Sequence, residues 1–435
     1  MVILLAMTCA PVFAQAEEMP KTPREYERFA LEHHPALRAQ QHIWRGSLKE
    51  AEAVESRWPQ PMLGYNAEIG TFWSPQVGVT HMAMVSQTVP WPGVLDKMAE
   101  PARRQAVGEQ ERFDGLARQI VHDVRVSLVD IARIDALDAL LGEQRELYEE
   151  AVLILEATMA TGRADYGDIL RLTTAAEMLA DRQDMLRSRR EQSVASLREF
   201  LDVEPNTPLQ FEFEGAESPL EVREQRVDVG AALAQMSEHH PELATLRAQG
   251  ARADAQGAAA RSRRMPWPTV SLGYGNMPMM GGEGREDMFL VGFSIPLPIF
   301  ARQYSAEVER FELQRSAFQE QERATSRRLA AQIEASATRI DESMRRLARF
   351  RTELLPLAGD VTERMLIEME LGRRTATDYL LAVQQQLELE SSLIELKATI
   401  ARELARLNLL TGGEFEAQTT RGFERISIEE VGGRR

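Results

Sequence analysis

The sequence predicts a mainly α-helical chain with a small β part, built as two long helical hairpins that each carry a pair of β-strands of membrane-crossing length. Three observations carry this: four Pro-x-Pro brackets, a change of hydrophobic period inside them, and a second appearance of the whole plan about 206 residues downstream.

The brackets are Pro59 with Pro61, Pro90 with Pro92, Pro266 with Pro268, and Pro296 with Pro298. Proline lacks a backbone donor and pushes its predecessor out of the helical region, so each bracket stops a helix and starts an extended chain, or the reverse. Between brackets the period is two. Leu63, Tyr65, Ala67 and Ile69 alternate with Gly64, Asn66 and Glu68; Val270, Leu272 and Tyr274 alternate with Thr269, Ser271, Gly273 and Gly275. Phe289, Val291, Phe293 and Ile295 alternate with Gly292 and Ser294, whereas the strand around Ala83, Val85 and Val89 is less regular because Gln87 interrupts its apolar side. Strands are therefore expected over about 61–89 and 268–296, with loops at Gly70 to Val79 and Met277 to Glu286. Strands of roughly nine or ten residues suit a tilted crossing of a bilayer. Four cannot close a barrel, and open edges are not tolerated in lipid, so several copies would have to pool them. A small soluble sheet packed on helices is the alternative reading of the same pattern.

The chain opens on an apolar run, Met1 to Ala16, with small-residue sites at Val12-Phe13-Ala14 and Ala14-Gln15-Ala16. It reads as a signal peptide, residues 1–16, without the usual basic start, which leaves the translation start open. Cys9, the one cysteine, lies in it behind Ala6-Met7-Thr8, a poor match to a lipidation box; a mature chain would have no thiol chemistry. The first repeat, 17–202, begins with a short helix from Pro23, stopped before Pro35, and a second running to Trp58. From Val94 to about Thr161 apolar residues recur at helical spacing, Ile120, Val124, Leu128, Ile131, Ile134, Leu137 and Leu141 among them, with Pro101 confined to the early turns. Roughly 65 helical residues span about 100 Å. A tip turn at about 161–168, marked by Gly162, leads into a returning helix from about Asp168 to Leu201, and a linker covers 203–226.

The plan then restarts over 227–411. His239-His240-Pro241 repeats His33-His34-Pro35 at an offset of 206 (239 minus 33), Pro296 repeats Pro90 at 206 (296 minus 90), and Gly372 repeats Gly162 at 210 (372 minus 162). The second long helix is expected from Arg302 to Glu370, kinked at Pro356, with a tip at about 371–378, a return from Thr377 to Leu410 and a polar tail over 412–435. Ribbons fall at one end of such hairpins and Gly turns at the other.

The formal net charge of −16 and the lack of a basic, aromatic-rich patch exclude a nucleic-acid surface. No Gly-rich phosphate loop, Cys/His ligand spacing or nucleophile motif points to an enzyme, and no cofactor is expected. A non-pore periplasmic coiled-coil scaffold could use the helices, but has no need of bilayer-length strands at matched places in both halves.

Ala30-Leu31-Glu32-His33-His34-Pro35-Ala36-Leu37, the exits Ser86-Gln87-Thr88-Val89-Pro90-Trp91-Pro92-Gly93 and Gly292-Phe293-Ser294-Ile295-Pro296-Leu297-Pro298-Ile299-Phe300, and the tip Leu371-Gly372-Arg373-Arg374-Thr375-Ala376-Thr377-Asp378 together resemble the TolC-like outer-membrane factor family over nearly the whole mature chain. The Pro-Trp-Pro-Gly exit is similar to heavy-metal-efflux members. The resemblance implies a homotrimer with a 12-stranded β-barrel in the Gram-negative outer membrane and a 12-helix α-barrel across the periplasm. It also implies a periplasmic adaptor and an inner-membrane pump as partners, and a passive duct for metal ions, or alternatively for drugs or secreted proteins.

By the same resemblance Asp378 lines a periplasmic gate and Arg374 ties its tips, with Asp168 as the first repeat's counterpart; Leu381 stands where some relatives carry a second acid. Both acids also fall in the first turn of a helix, where a carboxylate is favourable in any case. The paired histidines sit at helix boundaries before proline, which favours a boundary role over metal ligation. Met82 and Met84 on one ribbon and Met277, Met279 and Met280 on the other are candidate ligands for a soft cation, or fillers of irregular gaps. Trp58, Trp73, Trp91, Trp267 and Tyr65 cluster at strand ends, as an interfacial aromatic belt requires.

Overall fold

The computed structural model describes residues 19–69, 79–159, 165–213, 218–222, 227–278, 284–297 and 302–413. The leader with Cys9, the turn residue Gly162, Trp73, Met279, Met280, Pro298 and the tail beyond 413 lie outside the described residues. The element order is α1 (Pro23–His33), α2 (Pro35–Glu55), β1 (Met62–Ile69), β2 (Val79–Thr88), α3 (Val94–Met159), α4 (Tyr166–Leu201), α5 (Val229–His239), α6 (Pro241–Ser262), β3 (Thr269–Pro278), β4 (Arg285–Ser294), α7 (Arg302–Arg349), α8 (Leu355–Glu370) and α9 (Ala376–Thr411). The chain is thus mainly helical, with each strand pair between helices.

Helix α1 starts at a capping box: the Thr22 hydroxyl accepts from the Glu25 amide, and the Glu25 carboxylate accepts from the Thr22 amide. Helix α2 ends at Glu55, three residues before the expected Trp58. Ser56 turns its hydroxyl back to the Glu52 carbonyl at 2.9 Å, and Pro59 follows. Strand β3 runs on to Pro278 and β4 begins at Arg285, so the second loop is shorter than expected. Helix α4 begins two residues before Asp168, and α9 one residue before Thr377.

The second long helix is interrupted. A five-residue π-helical segment, Phe350–Leu354, separates α7 from α8, and the Leu355 amide reaches back to the Phe350 carbonyl. Pro356 supplies the reason: it has no N–H for the Thr352 carbonyl, and the widened turn makes room for its ring.

Two compact units divide the described chain, and each draws on both the N-terminal and the C-terminal half of the sequence. One holds the strands. They form a single antiparallel sheet in the order β1-β2-β3-β4, so the two ribbons join through β2 and β3, from Thr88 opposite Thr269 to His81 opposite Asn276. Its helices pack closely because α6 is rich in small residues: Ala248, Ala253, Ala255, Ala259 and Ala260 are buried, and a Cβ on Gly115 would stand 3.3 Å from Pro241. Trp44 and Phe113 meet at 6.2 Å between α2 and α3.

The other unit holds the hairpin ends. Its core joins Leu141, Tyr148 and Leu155 of α3, Leu172 and Leu179 of α4, Met369 of α8, and Tyr379 and Val383 of α9. The segment expected to be a linker packs as a strap. Phe213, Leu220 and Val222 are seated against the α3, α7 and α9 helices, Tyr26 donates to the Gln210 carbonyl at 2.7 Å, and Arg190 lies over the Phe211 ring.

Candidate functional site

Two surfaces hold the residues singled out by sequence: the sheet and the hairpin tips. Cross-strand pairing fixes the two faces of the sheet. One carries Leu63, Tyr65 and Ala67 opposite Val85, Ala83 and His81; these face Leu272, Tyr274 and Asn276, which pair with Val291, Phe289 and Asp287. This face is the exposed one, with Leu63 80%, Phe289 81% and Val291 77% accessible. The other face carries Gly64, Ser86, Ser271, Gly273, Gly275 and Gly292 with Met82, Met84, Met288 and Leu290, of which those on β2, β3 and β4 are half-buried or buried, and the exposed Glu286 and Ser294 at the two ends of β4. A water-soluble sheet has the reverse arrangement, with large apolar residues covered and small polar ones outside. β1 and β4 form the two edges of the sheet.

The apolar face has polar residues at its loop end. Asp287 accepts from the Tyr274 hydroxyl at 2.6 Å and the Asn276 amide at 2.7 Å, Arg285 donates to Asn276, and Tyr65 bonds His81 at 2.6 Å. At the bracket end the Trp91 indole donates to the Pro266 carbonyl at 2.9 Å, tying the exit of one ribbon to the entry of the other. Gln87 donates to the Pro59 carbonyl at 2.8 Å, which accounts for its presence on the apolar side of β2. The exit turn requires Gly93, whose φ is +76°; the Val94 amide closes it onto the Trp91 carbonyl.

At the second tip Gly372 adopts φ +71° in a Schellman turn, with its amide on the Met369 carbonyl and the Arg373 amide on the Glu368 carbonyl. Thr375 and Asp378 then form a capping box for α9: the Thr375 hydroxyl accepts from the Asp378 amide at 3.3 Å, and the Asp378 carboxylate accepts from the Thr375 amide at 3.1 Å. These bonds, first among them that from the Thr375 amide, hold the Asp378 carboxyl below its ordinary range. Arg374 pairs with Glu368 at 3.2 Å and lies near enough to Asp378 to add to that depression. Leu381 is exposed three residues further along α9.

Asp168 is held by Arg171 at 2.9 Å, and the same Arg171 nitrogen donates to the Thr377 hydroxyl at 3.2 Å. The two tips are therefore linked through a residue that the sequence reading passed over, because an arginine one turn into a helix has no local signature. Met288 was missed likewise. Composition drew attention to Met277, Met279 and Met280, while pairing puts Met288 beside Gly275 on the same face as Met82 and Met84. The Met277 backbone pairs with Glu286.

The histidine pairs are helix boundaries. His240 closes α5 and caps α6, its Nδ1 accepting from the Glu242 amide at 3.2 Å, and burial pushes its imidazole down to about 4. His34 ends α1, and His33 stacks on Phe29 at 4.1 Å. Among the described residues no cluster of three or more His, Cys, Asp or Glu could hold a metal, and no helix is long and apolar enough to cross a membrane.

No curated protein sequence matches the chain. Solved structures do. The chain superimposes on CusC, whose report describes folding and transmembrane channel formation, with a TM-score of 0.71 at 13% identity, covering 91% of this chain and 93% of that one. The outer membrane protein VceC from Vibrio cholerae gives 0.70 at 15% identity over 90% and 96%, and the CmeC outer membrane channel of Campylobacter jejuni 0.65 at 11% over 92% and 90%. The chain has the fold of these proteins, and residues 232–413 match the family described as outer membrane efflux protein.

Proposed function

We propose that the chain is one protomer of a homotrimeric outer-membrane channel, the passive exit duct of a tripartite efflux system in a Gram-negative envelope. A periplasmic adaptor and an inner-membrane pump would deliver the cargo. The observation that carries the reading is the inverted sheet: its exposed face is lined by Leu63, Tyr65, Leu272, Phe289, Val291 and Phe293. Such a face is stable against acyl chains and costly against water, at about 25 cal/mol per Å² of apolar surface. One copy cannot close, since the smallest barrels have about eight strands, whereas pairing β4 of each copy with β1 of the next in a trimer removes every edge and encloses the glycine- and serine-rich face. A helical scaffold would leave the same face exposed to water for no gain.

In this duct the chain performs no catalytic step, and the pump supplies the energy. Planar-bilayer recording of the purified protein tests it. Discrete conductance from a particle with three chains is expected; a monomer that forms no pores would overturn the proposal.

A further inference from the structure

The geometry points to a thioether site for a soft monovalent cation on the glycine-lined face of the sheet, formed by Met82, Met84 and Met288. Pairing puts Met82 opposite Gly275 and Gly275 opposite Met288, so the two methionines flank a residue with no side chain. Met84 pairs in turn with Gly273, and its Cβ would be 3.9 Å from a Cβ there. The two outer strands are about 9–10 Å apart across β3, and a methionine side chain spans roughly half of that. Thioethers from β2 and β4 can therefore meet above the glycine. Met288 already leans in: its terminal methyl lies 3.9 Å from where a Gly275 Cβ would stand.

The surroundings suit a soft ion. Gly273 and Gly275 are buried beneath these side chains, while all three methionines keep partial exposure. Ser86, Ser271 and Leu290 neighbour the methionines on this face, and Glu286 stands on it two residues before Met288, towards the loop. One such carboxylate falls well short of the roughly six to eight oxygens a hard divalent ion takes, so the sulfurs set the preference. Two or three neutral sulfurs are the ligand set that Cu(I) and Ag(I) accept and that Mg²⁺ or Ca²⁺ do not. Ordinary gap-filling by methionine does not call for a glycine between two of them. The inference deepens the channel reading, because an ion reaches this face only if the face borders water.

Silver(I), which needs no reductant, is the probe. The purified full chain in detergent is titrated with Ag(I) while the methionine ε-methyl carbon resonances and the bound silver are followed. About one silver ion per chain is expected, with the resonances of Met82, Met84 and Met288 moving together. Replacing the three by leucine, a swap of nearly equal volume, should abolish that uptake. Gly275→Thr keeps every sulfur but fills the gap, and should weaken binding by about tenfold or more. Silver uptake that is unchanged in both variants, or shifts confined to other methionines, would overturn the site. Conductance is read separately: a parent that conducts yet binds no silver overturns the site and leaves the channel reading standing.

Discussion

The guanidinium of Arg171 on α4 donates to the Thr377 hydroxyl on α9 at 3.2 Å while the same nitrogen holds Asp168 at 2.9 Å. This small bridge joins the first turns of the two returning helices. Arg171 is well exposed, so the bridge contributes about 0–1 kcal/mol to stability. Arg171→Ala should leave the unfolding midpoint nearly unchanged yet raise single-channel conductance or open probability, since the tips lose a tie. Arg374→Ala, which breaks the pair with Glu368, should act in the same direction. Conductance no larger than that of the parent in both variants would count against a gate at the tips.

The capping box of α9 makes a separate claim. Thr375→Ala removes the hydroxyl that accepts from the Asp378 amide and should cost about 1 kcal/mol. The Asp378 carboxyl is held low mainly by the Thr375 amide, so its contribution is present above the ordinary carboxylate range and fades as pH falls through the lowered value. Asp378→Asn should therefore flatten the acid limb of a stability-versus-pH curve. An identical limb in the variant would show that the carboxylate is not engaged there.

His240 titrates in a higher window. Burial lowers its imidazole from 6.5 to about 4, so the unfolded chain binds a proton between those values and the folded chain does not. Its effect on stability is complete above about pH 6.5 and is lost progressively down to about pH 4, with an upper bound of about 3 kcal/mol. His240→Asn keeps an N-cap acceptor for the Glu242 amide without the titration. Thermal unfolding at pH 5 relative to pH 7 should fall less in the variant than in the parent.

Two glycines separate backbone strain from crowding. Gly372 has φ +71° and nothing within 4 Å of an added Cβ, so Gly372→Ala should cost only the left-handed penalty, about 1–2 kcal/mol. Gly412 has φ +69°, and its Cβ would stand 3.0 Å from the His239 carbonyl oxygen and 2.5 Å from Arg118 Nη1, which itself bonds that carbonyl. Gly412→Ala should therefore cost clearly more than Gly372→Ala in chemical denaturation; equal costs would contradict the distinction.

Much of the fold is legible in residues that punctuate it. Proline brackets, period-two stretches and the repeated His-His-Pro mark where strands and helices change places, because proline and glycine act through local backbone geometry. What local geometry does not encode is partner choice. Nothing in Val270 or Gln87 announces that β3 pairs with β2 across the repeats, and the Arg171 bridge and the Met82–Gly275–Met288 row exist only once strands and helices are placed side by side. Phe213 and Leu220 read as linker because they sit among prolines and acids, yet they seal a helical core. Pro356 announced a kink, but not that a π turn would absorb it.

The central claim is that the apolar face of the sheet meets lipid while the glycine face borders water. It is tested most directly along β4 in proteoliposomes. Single cysteines at 288 through 293 carry a small fluorophore, and its quenching by brominated lipid is compared with quenching by aqueous iodide. Labels at 289, 291 and 293 should be quenched by lipid and those at 288, 290 and 292 by iodide, alternating residue by residue. Uniform quenching by iodide along the strand would contradict the account.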